Sequence, residues 1–326
     1  MIDRCGRTID YLRISVTDRC NLRCIYCMPE DGVKLVDRSL ILREEEIIRI
    51  CRVMAELGIT KIKLTGGEPL IHVRMPELIE QIKRLPGIRK VTLTTNGVLL
   101  KEQMKDLAEA GLDAVNISLD TLDRECFRKI ARRDLLDQSL EGIQEALRYP
   151  QVSVKINCVP LGIEGQDICQ IAELARKYPV HVRFIEMMPI GCGTEFKGMS
   201  ETELVALLEK KFGPLSIYQG KPLGNGPSRY YEAEGFVGKL GFISAVSHKF
   251  CGECNRIRLT SQGFLKTCLQ YTAGRDLREI LRNGGSDEDL KKVIRQALNE
   301  KPDGHHFMEK AQEDDTEKLC MSQIGG

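Results

Sequence analysis

Apolar and polar positions alternate with a period of two in six stretches before residue 190, and helical spacing fills the intervals between them. The alternation predicts strands over 11–17, 60–65, 90–95, 113–120, 151–158 and 180–185. Helices are predicted over 44–57, closed by Gly58, and over 75–85, 100–110 and 167–178. Strand and helix repeated in this order imply parallel strands with right-handed crossovers, hence a doubly wound sheet or a barrel.

The two faces of those strands favour the barrel. Leu12, Ile14 and Val16 share a face, as do Val115, Ile117 and Leu119, or Val152, Val154 and Ile156. The opposite face carries Arg13, Lys63, Thr94, Asn116, Ser118, Lys155, Asn157, His181 and Arg183. Parallel strands covered on both sides read as unbroken apolar runs, and these do not. Apolar faces turned toward helices leave polar faces around a common lumen, which suits a partial barrel enclosing polar ligands. Arg13, Lys63 and Lys155 then call for an anion, a polyphosphate or carboxylate ligand, because a desolvated cation is heavily penalised. The alternatives are ion pairs with Asp120 or Glu68, or a solvated strand end.

With 326 residues, 42% of them apolar, the chain can bury one large domain, or one large and one small. Lys and Arg number 48 against 47 Asp and Glu, so no nucleic-acid partner is expected and any basic site is local. No apolar run is long enough for a membrane span, and Met1-Ile2-Asp3-Arg4 does not begin a secretion signal, so a cytoplasmic protein without membrane contact is expected. Thirteen cysteines in such a chain point to metal ligation rather than to disulfides. Seven are scattered singly and read as small hydrophobes or incidental positions: Cys5, Cys51, Cys126, Cys158, Cys169, Cys192 and Cys320. The other six form two groups, Cys20/Cys24/Cys27 and Cys251/Cys254/Cys268.

Cys20-x3-Cys24-x2-Cys27 follows the first strand directly. Three thiolates on one short loop can hold three irons of a cubane and leave the fourth open to a chelating small molecule. A structural zinc would need a fourth ligand, from His72 or Cys5. With Leu64-Thr-Gly-Gly-Glu-Pro69, Thr94-Thr-Asn-Gly97 and Ile117-Ser-Leu-Asp120, all at strand C-termini, the sequence resembles the radical S-adenosylmethionine (SAM) superfamily. The resemblance implies a 4Fe-4S cluster whose open iron binds SAM and cleaves it reductively to a 5′-deoxyadenosyl radical. It also implies SAM contacts from Tyr26, Gly67, Ser118 and Met188. Taken alone, the Gly66-Gly67 pair reads as a turn and Met188 as core.

Cys251-x2-Cys254-x13-Cys268 reads either as zinc, with His248 as fourth ligand, or as a second three-cysteine cubane. The run from Phe250 to Leu269, with Asp10-Tyr-Leu-Arg-Ile-Ser-Val-Thr-Asp-Arg-Cys-Asn and the terminal Gly325-Gly326, resembles the GTP 3′,8-cyclase family of molybdenum cofactor biosynthesis along nearly the whole chain. The resemblance implies a second 4Fe-4S cluster whose open iron meets guanine. GTP contacts would come from Arg13, Lys63, Thr94, Lys155, Arg256, Ile257 and Arg258, and catalytic roles from Arg256, Arg258, Gly325 and Gly326. The chemistry implied is loss of the ribose C3′ hydrogen and attack of C3′ on guanine C8, giving 3′,8-cyclo-7,8-dihydro-GTP. Gly325-Gly326 would enter the site through backbone groups; otherwise it is an ordinary loose end. Two positions depart from the family: Lys63 puts a point charge where an Arg fork is usual, and His72 stands in place of an Arg.

The architecture expected is α/β, a partial (β/α)6 TIM-like radical SAM barrel over 1–190. A C-terminal α+β cap over 191–326 would carry the second cluster, the arginine pair and a flexible Gly-Gly tail. Ser286 caps a further amphipathic helix with Leu290, Val293, Ile294 and Ala297 inward, and the acidic run from Glu313 reads as a solvated linker. Partners implied are GTP, a flavodoxin- or ferredoxin-like electron donor, a downstream cyclic pyranopterin monophosphate synthase that takes the product, and a second copy in a homodimer. A radical SAM peptide-modifying enzyme with an auxiliary cluster would share the first site, but usually with more C-terminal cysteines. A zinc-stabilised binding module would leave the lumen cations unexplained.

Overall fold

The structure, a computed structural model, describes residues 1–307 and 316–325. Its first half repeats strand and helix as the alternation requires. Strands β1 (Tyr11–Ser15), β2 (Lys61–Thr65), β3 (Lys90–Thr95), β4 (Ala114–Ser118), β5 (Ser153–Cys158) and β6 (His181–Ile185) lie side by side in chain order. Between them run α1 (Glu44–Glu56), α2 (Met75–Lys83), α3 (Leu100–Glu109), α4 (Arg124–Ala131), α5 (Leu136–Ala146) and α6 (Ile168–Lys177). Sequence periodicity alone leaves α4 and α5 unassigned.

Each helix buries one stripe against the outer face of the sheet. On α1 that stripe is Ile47, Ile50, Cys51 and Met54, which meets Ile62 and Leu64 in the main core. Each fully buried Leu or Ile of this layer contributes about 1.5–3 kcal/mol of hydrophobic stabilisation. The inner faces carry the polar set, and they converge on one cavity of about 670 Å³. Side chains from β1 to β6 line that single space, so the sheet curves into a partial barrel.

The C-terminal segment meets the barrel through the sheet itself. Here α7 (Glu201–Phe212) leads into β7 (Ser216–Ile217), β8 (Arg229–Glu232), β9 (Leu240–Ile243), β10 (Arg256–Leu259), β11 (Phe264–Lys266) and β12 (Gly274–Asp276). Strand β10 pairs parallel with β1, and β9 pairs parallel with β6, so the sheet runs β12-β11-β10-β1-β2-β3-β4-β5-β6-β9-β8-β7. An unpaired edge exposes a row of N–H and C=O groups, and the two late strands cover both edges of the barrel. The chain closes with α8 (Leu277–Arg282), α9 (Asp287–Asn299) and α10 (Met321–Ile324). Ser286 caps α9 by accepting from the Asp289 N–H, and Leu290, Ile294, Ala297 and Leu298 face the core. The acidic run from Glu313 to Asp315 lies outside the described residues. Among those that are described, no helix is long and apolar enough to cross a membrane.

Candidate active site

Register sets the charge pattern of the lumen. Arg13 stands directly between Arg258 of β10 and Lys63 of β2, so three cations occupy adjacent rungs. Lys155 of β5 stands beside Asn116 and His181, and Asn157 beside Arg183. Like charges on neighbouring strands repel, so this layer destabilises the sheet unless an anion lies over it. Burial and mutual repulsion push the Lys63 ammonium well below its usual range, Arg13 down to about 10 and Lys155 down to about 7. Arg258 is likewise lowered by burial and by Arg13 and Arg256.

Glu68 and Asp120 are engaged by other partners. Glu68 is fully buried and accepts from Leu70 N, Thr95 Oγ1 (2.7 Å) and Asn96 N (2.7 Å), bracing the end of β3. Burial raises it to about 7 against those bonds. Asp120 accepts from Tyr26 Oη (2.7 Å) and Val159 N (2.8 Å), and burial raises it to about 6. Lys155 Nζ donates to Ser153 Oγ (3.1 Å), and Arg183 is held by Asn157 Oδ1 (2.9 Å from Nε) and Asn116 Oδ1 (2.9 Å). The ion-pair alternative, Asp120 or Glu68 opposite the lumen cations, is therefore not what these carboxylates do.

The first cysteine loop follows β1 and is zipped to its surroundings by backbone bonds: Gly67 N to Thr17 O, Glu68 N to Arg19 O, and Arg23 N to Ala131 O. A Cβ on Gly67 would sit 2.2 Å from Arg19 O, so the loop approaches too closely for any other residue. Cys20, Cys24 and Cys27 all face the cavity. Burial raises Cys20 to about 11, and burial with the neighbouring Cys20 thiol raises Cys27 to about 12; Cys24 is raised too. Cys5 and His72 do not line the cavity, and His72 Nε2 lies 3.7 Å from Glu44 Oε1. Neither candidate for the fourth ligand that zinc would require lies in the wall of this site.

The second group opens on the same space. Cys251, Cys254 and Cys268 line it with Arg256, Arg258, Phe250 and Lys301. Burial pushes the Cys254 thiol up, but Lys301 and Arg256 outweigh it and bring the thiol down to about 7. Arg256 lies over the Phe250 ring at 4.9 Å, a cation–π contact that aims its fork. His248 points away, with Nδ1 3.5 Å from Glu201 Oε2. Among the described residues, no three His, Cys, Asp or Glu side chains close round a single ion. Three thiols facing a cavity without converging on one ion are the donor set of a cubane with an open iron, whose thiolates attach to separate irons, and His305 stands in the same wall.

Of the residues singled out in the sequence, Arg13, Tyr26, Lys63, Gly67, Thr94, Ser118, Lys155, Met188, Arg256 and Arg258 line the cavity with both cysteine groups. Ile257 does not: its side chain is fully buried in the core opposite Leu12, because the alternation that turns Arg256 and Arg258 inward turns it outward. Gly325 is buried, and its carbonyl accepts from Arg258 Nη1 at 2.9 Å. Gly326 lies outside the described residues. Sequence reasoning placed Arg183 on the lumen face without assigning it a role, and it passed over Lys301 and the 222–227 loop, all in the wall. Two scattered cysteines also meet, with Cys192 Sγ 3.4 Å from Cys320 Sγ and both free.

A profile of the radical SAM superfamily matches residues 14–177, and one described as Molybdenum Cofactor Synthesis C matches 180–307. A GTP 3′,8-cyclase of Clostridium perfringens (strain SM101) is 47% identical over 328 residues, covering all of both chains. The chain belongs to the GTP 3′,8-cyclase family. The family relative from Syntrophomonas wolfei is 46% identical over 330 residues, again end to end, and that from Thermodesulfovibrio yellowstonii is 45% identical over 93% of this chain and 95% of its own. Among solved structures, Streptococcus suis SuiB bound to S-adenosylmethionine superposes with a TM-score of 0.62 at 16% identity, covering 92% of this chain and 73% of that one. That likeness concerns the fold: the family member is built on a radical SAM barrel.

Proposed function

We propose that this chain converts GTP to 3′,8-cyclo-7,8-dihydro-GTP by radical SAM chemistry, the first step of molybdenum cofactor biosynthesis. The observation that carries the proposal is one cavity with two three-cysteine groups and a wall of cations. Residues 1–190 supply the barrel and the SAM site, and 191–326 supply the second cluster and the arginine pair. When bound, the first cluster and SAM supply a 5′-deoxyadenosyl radical, and the second cluster an open iron for guanine.

The protein's own side chains then have separable tasks. Cys20, Cys24 and Cys27 hold the first cluster, with Tyr26, Gly67, Ser118 and Met188 around SAM. Tyr26 is fixed by its bond to Asp120, so its ring offers a set surface. Arg13, Lys63 and Lys155, with Thr94, take the triphosphate and ribose; binding the polyanion relieves their repulsion. Arg256 and Arg258 present planar forks to the nucleotide, each contact worth about 1.5–3 kcal/mol, and Ile257 offers backbone only. The Gly325 carbonyl accepts from Arg258 and positions it, and the catalytic part assigned to Gly326 follows from the family resemblance alone.

The cysteines are all free among the described residues, in keeping with work in the cytoplasm. A flavodoxin- or ferredoxin-like donor, a downstream cyclic pyranopterin monophosphate synthase and a homodimeric assembly complete the proposal. The test is anaerobic reconstitution with SAM, GTP and a low-potential reductant, followed by mass spectrometry. 5′-Deoxyadenosine together with a cyclised GTP is the expected outcome; deoxyadenosine with unchanged GTP would remove the substrate assignment and leave the radical SAM chemistry standing.

A further inference from the structure

Lys301 stands two residues past the end of α9 and is 2% exposed. Its ammonium has three donors, and three acceptors surround it: Arg256 O at 3.0 Å, Thr267 O at 2.5 Å and Cys254 Sγ at 3.6 Å. All three belong to the second cysteine site. Thr267 precedes Cys268, and Arg256 opens β10, so one side chain ties the Cys254 arm to the Cys268 arm.

Charge separates Lys301 from the other cation that braces this site. Arg7 donates to Cys251 O (2.9 Å), Asp303 O (3.0 Å) and Pro302 O (2.7 Å), and its charge is met by Asp3 Oδ2 at 2.6 Å. Lys301 forms no ion pair with a carboxylate among the described residues; two of its acceptors are neutral carbonyls, and the third is a cluster sulfur. A buried ammonium needs an anion, and a metal-bound thiolate supplies one. A positive charge and a hydrogen bond at a ligating sulfur stabilise the more negative, reduced state of an iron–sulfur cluster.

We propose that Lys301 is the positioning residue of the second cluster, holding the Cys254 and Cys268 arms together and setting the cluster's reduction potential. The proposal rests on the cluster assignment made above. It is tested in a Cys20→Ala/Cys24→Ala/Cys27→Ala background, so that only second-site iron is read. Iron and sulfide are counted per chain after anaerobic reconstitution, and the cluster is titrated under electron paramagnetic resonance in parent, Lys301→Met and Lys301→Arg chains.

Lys301→Met, which keeps the apolar stem and removes the charge, is expected to titrate at a more negative potential, with Lys301→Arg returning toward the parent. Loss of iron in Lys301→Met with retention in Lys301→Arg supports the same conclusion, because it separates the charge from the packing of the stem. A Lys301→Met cluster with full iron and the parent potential overturns it. So does equal loss of iron in both variants with a lowered melting temperature of the apoprotein, which marks a merely structural lysine. A parent chain with no second-site iron sinks the cluster assignment itself and is recognised before any variant is compared.

Discussion

The two cysteine groups face one cavity and differ at one thiol: burial raises Cys251 as it raises the first group, but Cys254 is lowered. At the first, no cationic side chain donates to a sulfur among the described residues; Arg23 reaches the carbonyls of Cys20 and Leu22 instead, and burial drives all three thiols toward the neutral form. At the second, Lys301 meets Cys254, and the thiol is lowered to about 7. The first site therefore acquires its negative charge only as metal displaces protons, whereas the second holds part of it beforehand. Two clusters of the same ligand count can thus differ in task, the first left open to a cosubstrate that brings its own carboxylate, the second matched to a nucleotide beside arginines.

The largest effect that could break this comparison is its division of labour. Cys24→Ala should abolish both deoxyadenosine and the cyclised product, while Cys254→Ala should abolish only the product; if SAM cleavage disappears in both, the sites are not separable. Arg258→Ala should lower product formation about 10–100-fold from the loss of one charge-assisted contact, with SAM cleavage retained, as product mass spectrometry would register. In reduced apoprotein near pH 7.5, alkylation should reach Cys254 at least about tenfold faster than Cys20, Cys24 or Cys27, which peptide mapping would resolve. Uniform labelling would show that the electrostatic contrast is absent.

The smallest effect sharpens the comparison on the substrate side. Lys155 in the empty site is lowered to about 7, below its ordinary 10.5. A triphosphate restores the charged form, so binding takes up a proton between those values. GTP affinity should then weaken as pH rises above 7, by at most about tenfold per pH unit, and Lys155→Met should flatten the profile in calorimetric titrations. For the empty protein the sign is reversed. A depressed lysine contributes stability that is fully present above the unfolded value and is lost as pH falls through about 7.

Most of the barrel and its wall was legible because both follow from a period of two. Lys90–Thr95 forms a strand over its full predicted span, and the rule that placed Arg13, Lys63 and Lys155 inside is the rule that places Leu12, Ile62 and Val154 outside. Applied consistently, it excludes the Ile257 side chain from the substrate as well. What escaped was non-local. Lys301, beside Pro302 after an amphipathic helix, has the sequence look of a solvated helix end; only the fold brings it to Cys254. The pairing of β10 with β1 has no local signal either, because the alternation of four residues cannot name a partner across the chain. Cys192 and Cys320 looked incidental for the same reason.

That pairing has a consequence for biosynthesis. The bond from Asn255 to Asp10 spans 245 residues, so one wall of the barrel waits for a strand synthesised long after β1. Until then β1 is an open parallel edge, as β6 is until β9 forms, a state that invites association with other nascent chains. Arg256 and Arg258 ride on the late strand, so the nucleotide wall is completed in the same step that removes the sticky edge, and a prematurely ended chain lacks both.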